Sequence, residues 1–233
     1  MDLKDISPDV VTVGSVGPVE INATLVYTWG VMLLMVGGSW LVTRKLSDSE
    51  RIPRWQNLLE VLVTGIRDQI EEVMQQRPGR FLPFIGTLFL FILICNILTV
   101  FPGYVSPTAS LSTTAGLAIC VFVSVPLFGI RDRGLGGYLR QYVQPNIFML
   151  PFNVMGELSR TLALAVRLFG NLMSGAKIVA ILLAVAPFLF PILMRLLGLL
   201  TGVIQAYIFA VLAAVYIASA MRTRQKADEK GEP

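Results

Sequence analysis

No histidine occurs anywhere in this 233-residue chain. That removes the commonest metal ligand and the commonest general base. Charge is scarce as well: Asp, Glu, Lys and Arg make up 15% of the residues, where a soluble domain carries about a quarter. Cysteine is limited to Cys95 and Cys120, both inside apolar runs. They read as packing or lipid-facing sulfurs rather than a disulfide or a metal pair. No Gly-x-x-x-x-Gly-Lys-Ser/Thr loop is present, so no nucleotide site is legible and the chain reads as no enzyme by itself. The opening MDLKDISPDV is polar and acidic and does not read as a cleavable signal peptide. No internal repeat or low-complexity tract stands out.

What the chain has in plenty is apolar residues, 55% of the total, with a mean hydropathy of +0.70. This composition marks an integral membrane protein. The net charge of +4 then concerns topology and is no sign of nucleic-acid binding. Five apolar spans emerge, at about 22–43, 81–103, 111–130, 146–186 and 189–221. A helix crosses a bilayer with about 20 apolar residues. The last two spans are far longer, so they tilt steeply or run beyond the hydrocarbon. A steep tilt suits a helix that wraps along a partner's curved surface. The chain thus divides into an outer-side segment 1–21, a first transmembrane helix 22–43, a surface segment 53–77, a transmembrane hairpin 81–130, a long helical hairpin 146–221 and a tail 222–233.

Segment 53–77 carries Trp55, Leu58, Leu59, Leu62, Ile66, Ile70 and Val73 at helical spacing, with its charges elsewhere on the wheel. This predicts an amphipathic helix in the membrane surface plane. Lysine and arginine set orientation. Fourteen fall in 44–80, 131–140 and the tail, against Lys4 and Arg195 on the other side. The N-terminus is expected outside and the C-terminus in the cytoplasm.

One stretch, LALAVRLFGNLMSG, puts Arg167 in the middle of an apolar run. Insertion scales set the cost of such an arginine at roughly 2.5–3.5 kcal/mol, and the guanidinium cannot deprotonate to escape it. Asn153, Gly156, Arg160, Ala163, Arg167, Gly170, Asn171 and Ser174 recur at three- and four-residue steps, with Glu157 at the border. They share one helix face, opposite a bulky apolar one. Close helix packing explains the small residues but not two arginines two turns apart. Arg160 falls toward the cytoplasmic interface, where snorkelling makes it cheap. Arg167 lies deeper. Apart from Glu157, residues 133–226 contain no acid, so its counter-charge is expected on another subunit or in a water-filled cavity. Gln205 is the lone amide of the fifth span. If the two long helices turn near Phe188, Arg167 and Gln205 sit at similar depth. Ser174, Thr201 and Gln205 are candidates to line a hydrated path with neutral oxygens.

The segments LSRTLALAVRLFGNLMSG and IQAYIFAVLAAVYIASA resemble subunit a of F-type ATP synthases, and the order of elements extends the resemblance over nearly the whole chain. The resemblance implies an all-α membrane stator: about five transmembrane helices, one cytoplasmic-surface amphipathic helix and a long tilted C-terminal hairpin. It implies a c-subunit ring, peripheral-stalk b subunits and the lipid bilayer as partners, and a multi-pass place in a bacterial plasma membrane. No cofactor is expected; the cargo is H+ or Na+, passed through two half-channels. The family's arginine matches Arg167, its glutamine matches Gln205, and the asparagine of RLFGN matches Asn171. Ala176 and Gly198 stand where many members carry acids or a histidine, and Thr161 stands where a proline is common. With INATLVYTW near the start, the pattern is similar to the alternative N-type bacterial branch. Two rival readings are an autonomous secondary transporter, whose paired half-chains and broken helices are not evident here, and a scaffold with no ion path, against which Arg167 and Gln205 stand.

Overall fold

The computed structural model describes residues 12–16, 19–44, 54–74, 78–101, 104–143, 148–185 and 190–221. Its elements are almost all helical: α1 (Ala23–Thr43), α2 (Arg54–Met74), α3 (Leu82–Ile97), α4 (Leu111–Val143), α5 (Met149–Val185) and α6 (Phe190–Met221). Five of them, all but α2, are long and apolar enough to cross a membrane. The amphipathic α2 is the sixth. One feature departs from an all-helical chain. Strands β1 (Thr12–Val16) and β2 (Val19–Asn22) pair antiparallel ahead of α1. The β-branched residues of TVGSV and VEIN favour that ribbon.

Helices α3, α4, α5 and α6 form the bundle, with α3 against α6, α4 against α5, and α6 touching both α4 and α5. Lipid offers no hydrophobic drive to bring such helices together, so close backbone approach and polar bridges do the work. The buried face of α6 accordingly is rich in alanine: Ala206, Ala210, Ala213, Ala214 and Ala218. Gly202 on the same helix lies against Asn96 of α3, leaving no room for a side chain.

Three local features explain the rest of the frame. Helix α3 starts with a proline in its first turn, where a missing N–H costs nothing. It tightens at its far end into a 3-10 turn, Leu98–Val100. A second such turn, Pro107–Ala109, is wholly buried and packs among α1, α3, α4 and α5. Helix α4 does not stop near residue 130, where its apolar run ends. It continues to Val143 through a kink at Gly134, whose φ of 75° and ψ of 164° suit glycine alone. The chain beyond the kink folds back so that Tyr138 is buried. The Tyr138 ring leaves no space for a Cβ on Gly129.

Helix α2 docks on α3 and α6. Ile70 and Met74 are buried, while Glu60, Arg67, Asp68, Glu71 and Glu72 are exposed. The Tyr207 hydroxyl of α6 donates to Gln69 Oε1 of α2. The side chains of Trp55, Leu58, Leu59 and Leu62, and the tail beyond Met221, lie outside the described residues.

Candidate functional site

Helix α5 buries only a narrow wedge. Leu164, Ala165 and Leu168 are buried and pack with Ala206, Phe209 and Ala213 of α6 and with Ile92 and Cys95 of α3. Arg167 precedes Leu168 by one residue and so points about 100° round the helix from it. It is exposed, as are Ala163, Gly170 and Ser174 of the polar stripe. Leu158, Leu162 and Val166 are exposed too. The bulky side of α5 is therefore not its packing side; stripe and bulk both face outward, and the cation sits in an apolar surround. Among the described residues Arg167 has no hydrogen bond or ion pair.

Arg160 has a partner. Its guanidinium lies over the Tyr216 ring of α6, 5.9 Å from the centroid. Glu157, Arg160, Tyr216 and Ser219 line a cavity of about 20 Å³, room for one water. This contact, with Leu168 and Ala206 in one buried cluster, makes α5 and α6 antiparallel neighbours. Arg167 and Gln205 each stand one residue before a member of that cluster.

Gln205 is not on the exposed side with Arg167. It is 6% exposed, and its Nε2 donor has no hydrogen-bond partner. A second buried amide lies on the same helix contact. Asn96 of α3 is 1% exposed. Its Nδ2 donates to the carbonyls of Ile92 (2.9 Å) and Gly202 (3.1 Å), and its Oδ1 acceptor is left without a partner. Gly202 and Gln205 are three residues apart and share a face of α6. The Asn96 acceptor and the Gln205 donor are thus both buried and unpaired, and Gly202, which Asn96 bonds, is one turn from Gln205 along α6. Asn96 carries in LFLFILICNIL the same signal that marks Gln205, one amide in an apolar run, and was not among the sequence candidates.

Hydroxyls continue the polar path past Asn96. Ser106, Thr108, Ser110 and Thr114 are all buried. Ser106 reaches the Cys95 carbonyl at 3.3 Å and Thr108 at 2.7 Å, and Thr114 donates to the Ser110 carbonyl at 3.1 Å. Of the sequence candidates, Ser174 donates to the Gly170 carbonyl at 2.6 Å, and Thr201 to that of Leu197 at 2.9 Å. Both protons are thus held by their own helix, and the oxygens remain free only to accept. Asn171 and Lys177 are half-buried. The described residues contain no cluster of His, Cys, Asp and Glu fit for a metal. The arrangement is an exposed permanent cation, Arg167, on a bundle whose interior buries neutral oxygens and amides. Such groups can hold water or a partly hydrated cation but cannot themselves titrate.

The pattern of the family described as ATP synthase A chain matches residues 25–218. A protein of Albidiferax ferrireducens named ATP synthase subunit a is 60% identical over 227 residues, covering 97% of this chain and 98% of its own. ATP synthase subunit a 1 of Chlorobaculum parvum is 59% identical over 222 residues, 95% of this chain and 98% of its own. ATP synthase subunit a 2 of Acaryochloris marina is 60% identical over 185 residues, 79% of each.

Proposed function

The chain belongs to the ATP synthase A chain family, and from that premise we propose that it is the ion-conducting stator beside a ring of c subunits. The observation that carries the proposal is Arg167: an exposed, permanent cation in an apolar surround, with no partner among the described residues. A cation in such a place needs an anion from outside the chain. A ring carboxylate meets that need. It crosses lipid in a neutral, ion-loaded form; opposite Arg167 its charged form is favoured, so its bound ion leaves. At an effective dielectric of ~20, a contact at ~4 Å is worth about 4 kcal/mol before desolvation. One charge crossing 100 mV yields ~2.3 kcal/mol, the same order, and desolvation lowers the net worth of the contact toward that figure. The same cation repels ions that would leak straight across.

Two half-channels then reach Arg167 from opposite sides. The outer one runs past Ser106, Thr108, Asn96 and Gln205, where buried neutral groups hold a water chain or a partly dehydrated H+ or Na+ carrier. The inner one lies toward Glu157 and Arg160, near the end of α6. The N-terminus is outside, the C-terminus is cytoplasmic, and α2 offers its charged side to the peripheral-stalk b subunits. ATP chemistry belongs to partner subunits.

Co-purification tests this. Tagged chain should bring down a c-ring and b subunits, and the assembled complex should pump ions into vesicles on ATP addition. A chain that purifies alone and transports alone is a transporter, and the stator reading fails.

A further inference from the structure

Arg80 closes the 3-10 turn Pro78–Arg80, two residues before α3 begins at Leu82, and Arg131 sits near the end of the apolar part of α4. The two spans themselves run Leu82–Val100 and Leu111–Asp132, so both arginines stand at one end of the bundle, at the depth of the membrane interface. They line one cavity of about 130 Å³ together with Phe81, Phe128 and Asp132. Phe81 and Phe128 form its apolar floor, edge to face at 5.0 Å. Both guanidiniums are exposed, and among the described residues neither has an ion pair, although the Asp132 carboxylate lines the same cavity. Two like charges held together repel. The ion path proposed above does not include them: Arg80 lies in the turn before α3 and Arg131 on α4, whereas Arg167 is on α5.

We propose that this cavity binds the phosphodiester headgroup of an anionic phospholipid. Three points select that occupant. The cavity's charge, two arginines against one aspartate, is +1, and one phosphodiester of charge −1 balances it. The guanidinium fork matches phosphate oxygens in a bidentate way. The site opens where headgroups lie, with aromatic edges beneath it for the first carbons of the lipid. Basic pockets between transmembrane helices are a recurrent form of headgroup site.

The test uses the assembled complex in vesicles of phosphatidylcholine with a minor share of photoactivatable phosphatidylglycerol. Cross-linked peptides are mapped by mass spectrometry. Labelling is expected on residues 78–84 and 126–133, and not when the photoactivatable lipid is a phosphatidylcholine. Each arginine is worth about fivefold in occupancy near an anionic lipid, so R80Q/R131Q should lower labelling roughly 30-fold, and each single variant about fivefold. R80K/R131K keeps the charge and should keep most labelling; it also serves as the assembled comparison if the glutamine variant assembles poorly. Equal labelling by both lipids, or unchanged labelling in the single and double glutamine variants, overturns the proposal. Displacement of the label by millimolar inorganic phosphate in the wild type would assign the cavity to free phosphate, and also overturns it.

Discussion

Asn96 on α3 donates its Nδ2 hydrogen to the carbonyl oxygen of Gly202 on α6, at 3.1 Å. The bond is possible only because residue 202 has no side chain: a Cβ there would meet Asn96 Cγ at 2.8 Å and Oδ1 at 2.9 Å. The amide fills the space a methyl group would take, and it ties two transmembrane helices together where the buried polar path begins.

Gly202→Ala should therefore push Asn96 aside and break the bond. Overpacking of this kind costs roughly 1–3 kcal/mol. The detergent-solubilised complex should lose thermal stability, read as an earlier loss of the assembled a–c contact on heating. Asn96→Ala combined with Gly202→Ala should recover much of that stability, because the clash is gone. If the double variant is no more stable than Gly202→Ala, the contact is not the cause.

Gln205→Leu separates function from packing. The Gln205 amide is buried with an unpaired Nε2, and an unsatisfied buried polar group costs about 1–3 kcal/mol. A leucine of similar size should leave stability equal or higher while slowing ion transport. Proton-driven and sodium-driven ATP synthesis should each be measured. Full transport with raised stability would mark Gln205 as mere filling. On the same reasoning of a neutral path, an acid at 176 (Ala176→Glu) should be tolerated.

Arg167→Ala should leave the complex assembled, since the side chain is exposed and has no hydrogen bond or ion pair among the described residues. Coupled pumping should fall by about a thousandfold, the scale of a contact worth about 4 kcal/mol at an effective dielectric of ~20. Arg167→Lys should rescue little, because a lysine in an apolar surround sheds its proton and lacks the planar fork. ATP-driven ion uptake into vesicles is the readout; near-wild-type uptake with alanine would remove the arginine from the mechanism.

Cysteines placed at Glu60 and Glu71 test orientation. Both positions are exposed on α2. They should react with an impermeant maleimide only in inside-out vesicles. Reaction from the outer side would reverse the topology.

Gly134→Ala probes the kink in α4. A non-glycine residue at φ 75°, ψ 164° carries about 1–3 kcal/mol of strain. Proteolysis of the 131–143 region should become faster at unchanged pumping. If digestion is unaltered, the kink is not strained by a side chain.

Much of this protein is legible in its residues taken in order. The five spans follow from apolar length, because a bilayer admits only helices that satisfy their own backbone. The identity of Arg167 and Gln205 as outliers follows from the cost of polar groups in such runs, and α2 shows itself by period. Other facts depend on which helix faces which. That Arg167 is exposed and Gln205 buried is set by the wedge of Leu164, Ala165 and Leu168 against the alanines of α6. That Asn96 bonds Gly202, one turn from Gln205 and 106 residues from Asn96 in sequence, needs α3 and α6 side by side. The bend that returns Tyr138 onto Gly129 lies beyond the apolar run, in a stretch the sequence marks only by its basic residues. The convergence of Arg80 and Arg131 on one cavity joins the entry to α3 and the end of the α4 span. Periodicity reports a residue's angle about its own helix; only packing between helices decides which neighbour that angle meets, and hence which polar groups are paired, buried or left to a partner.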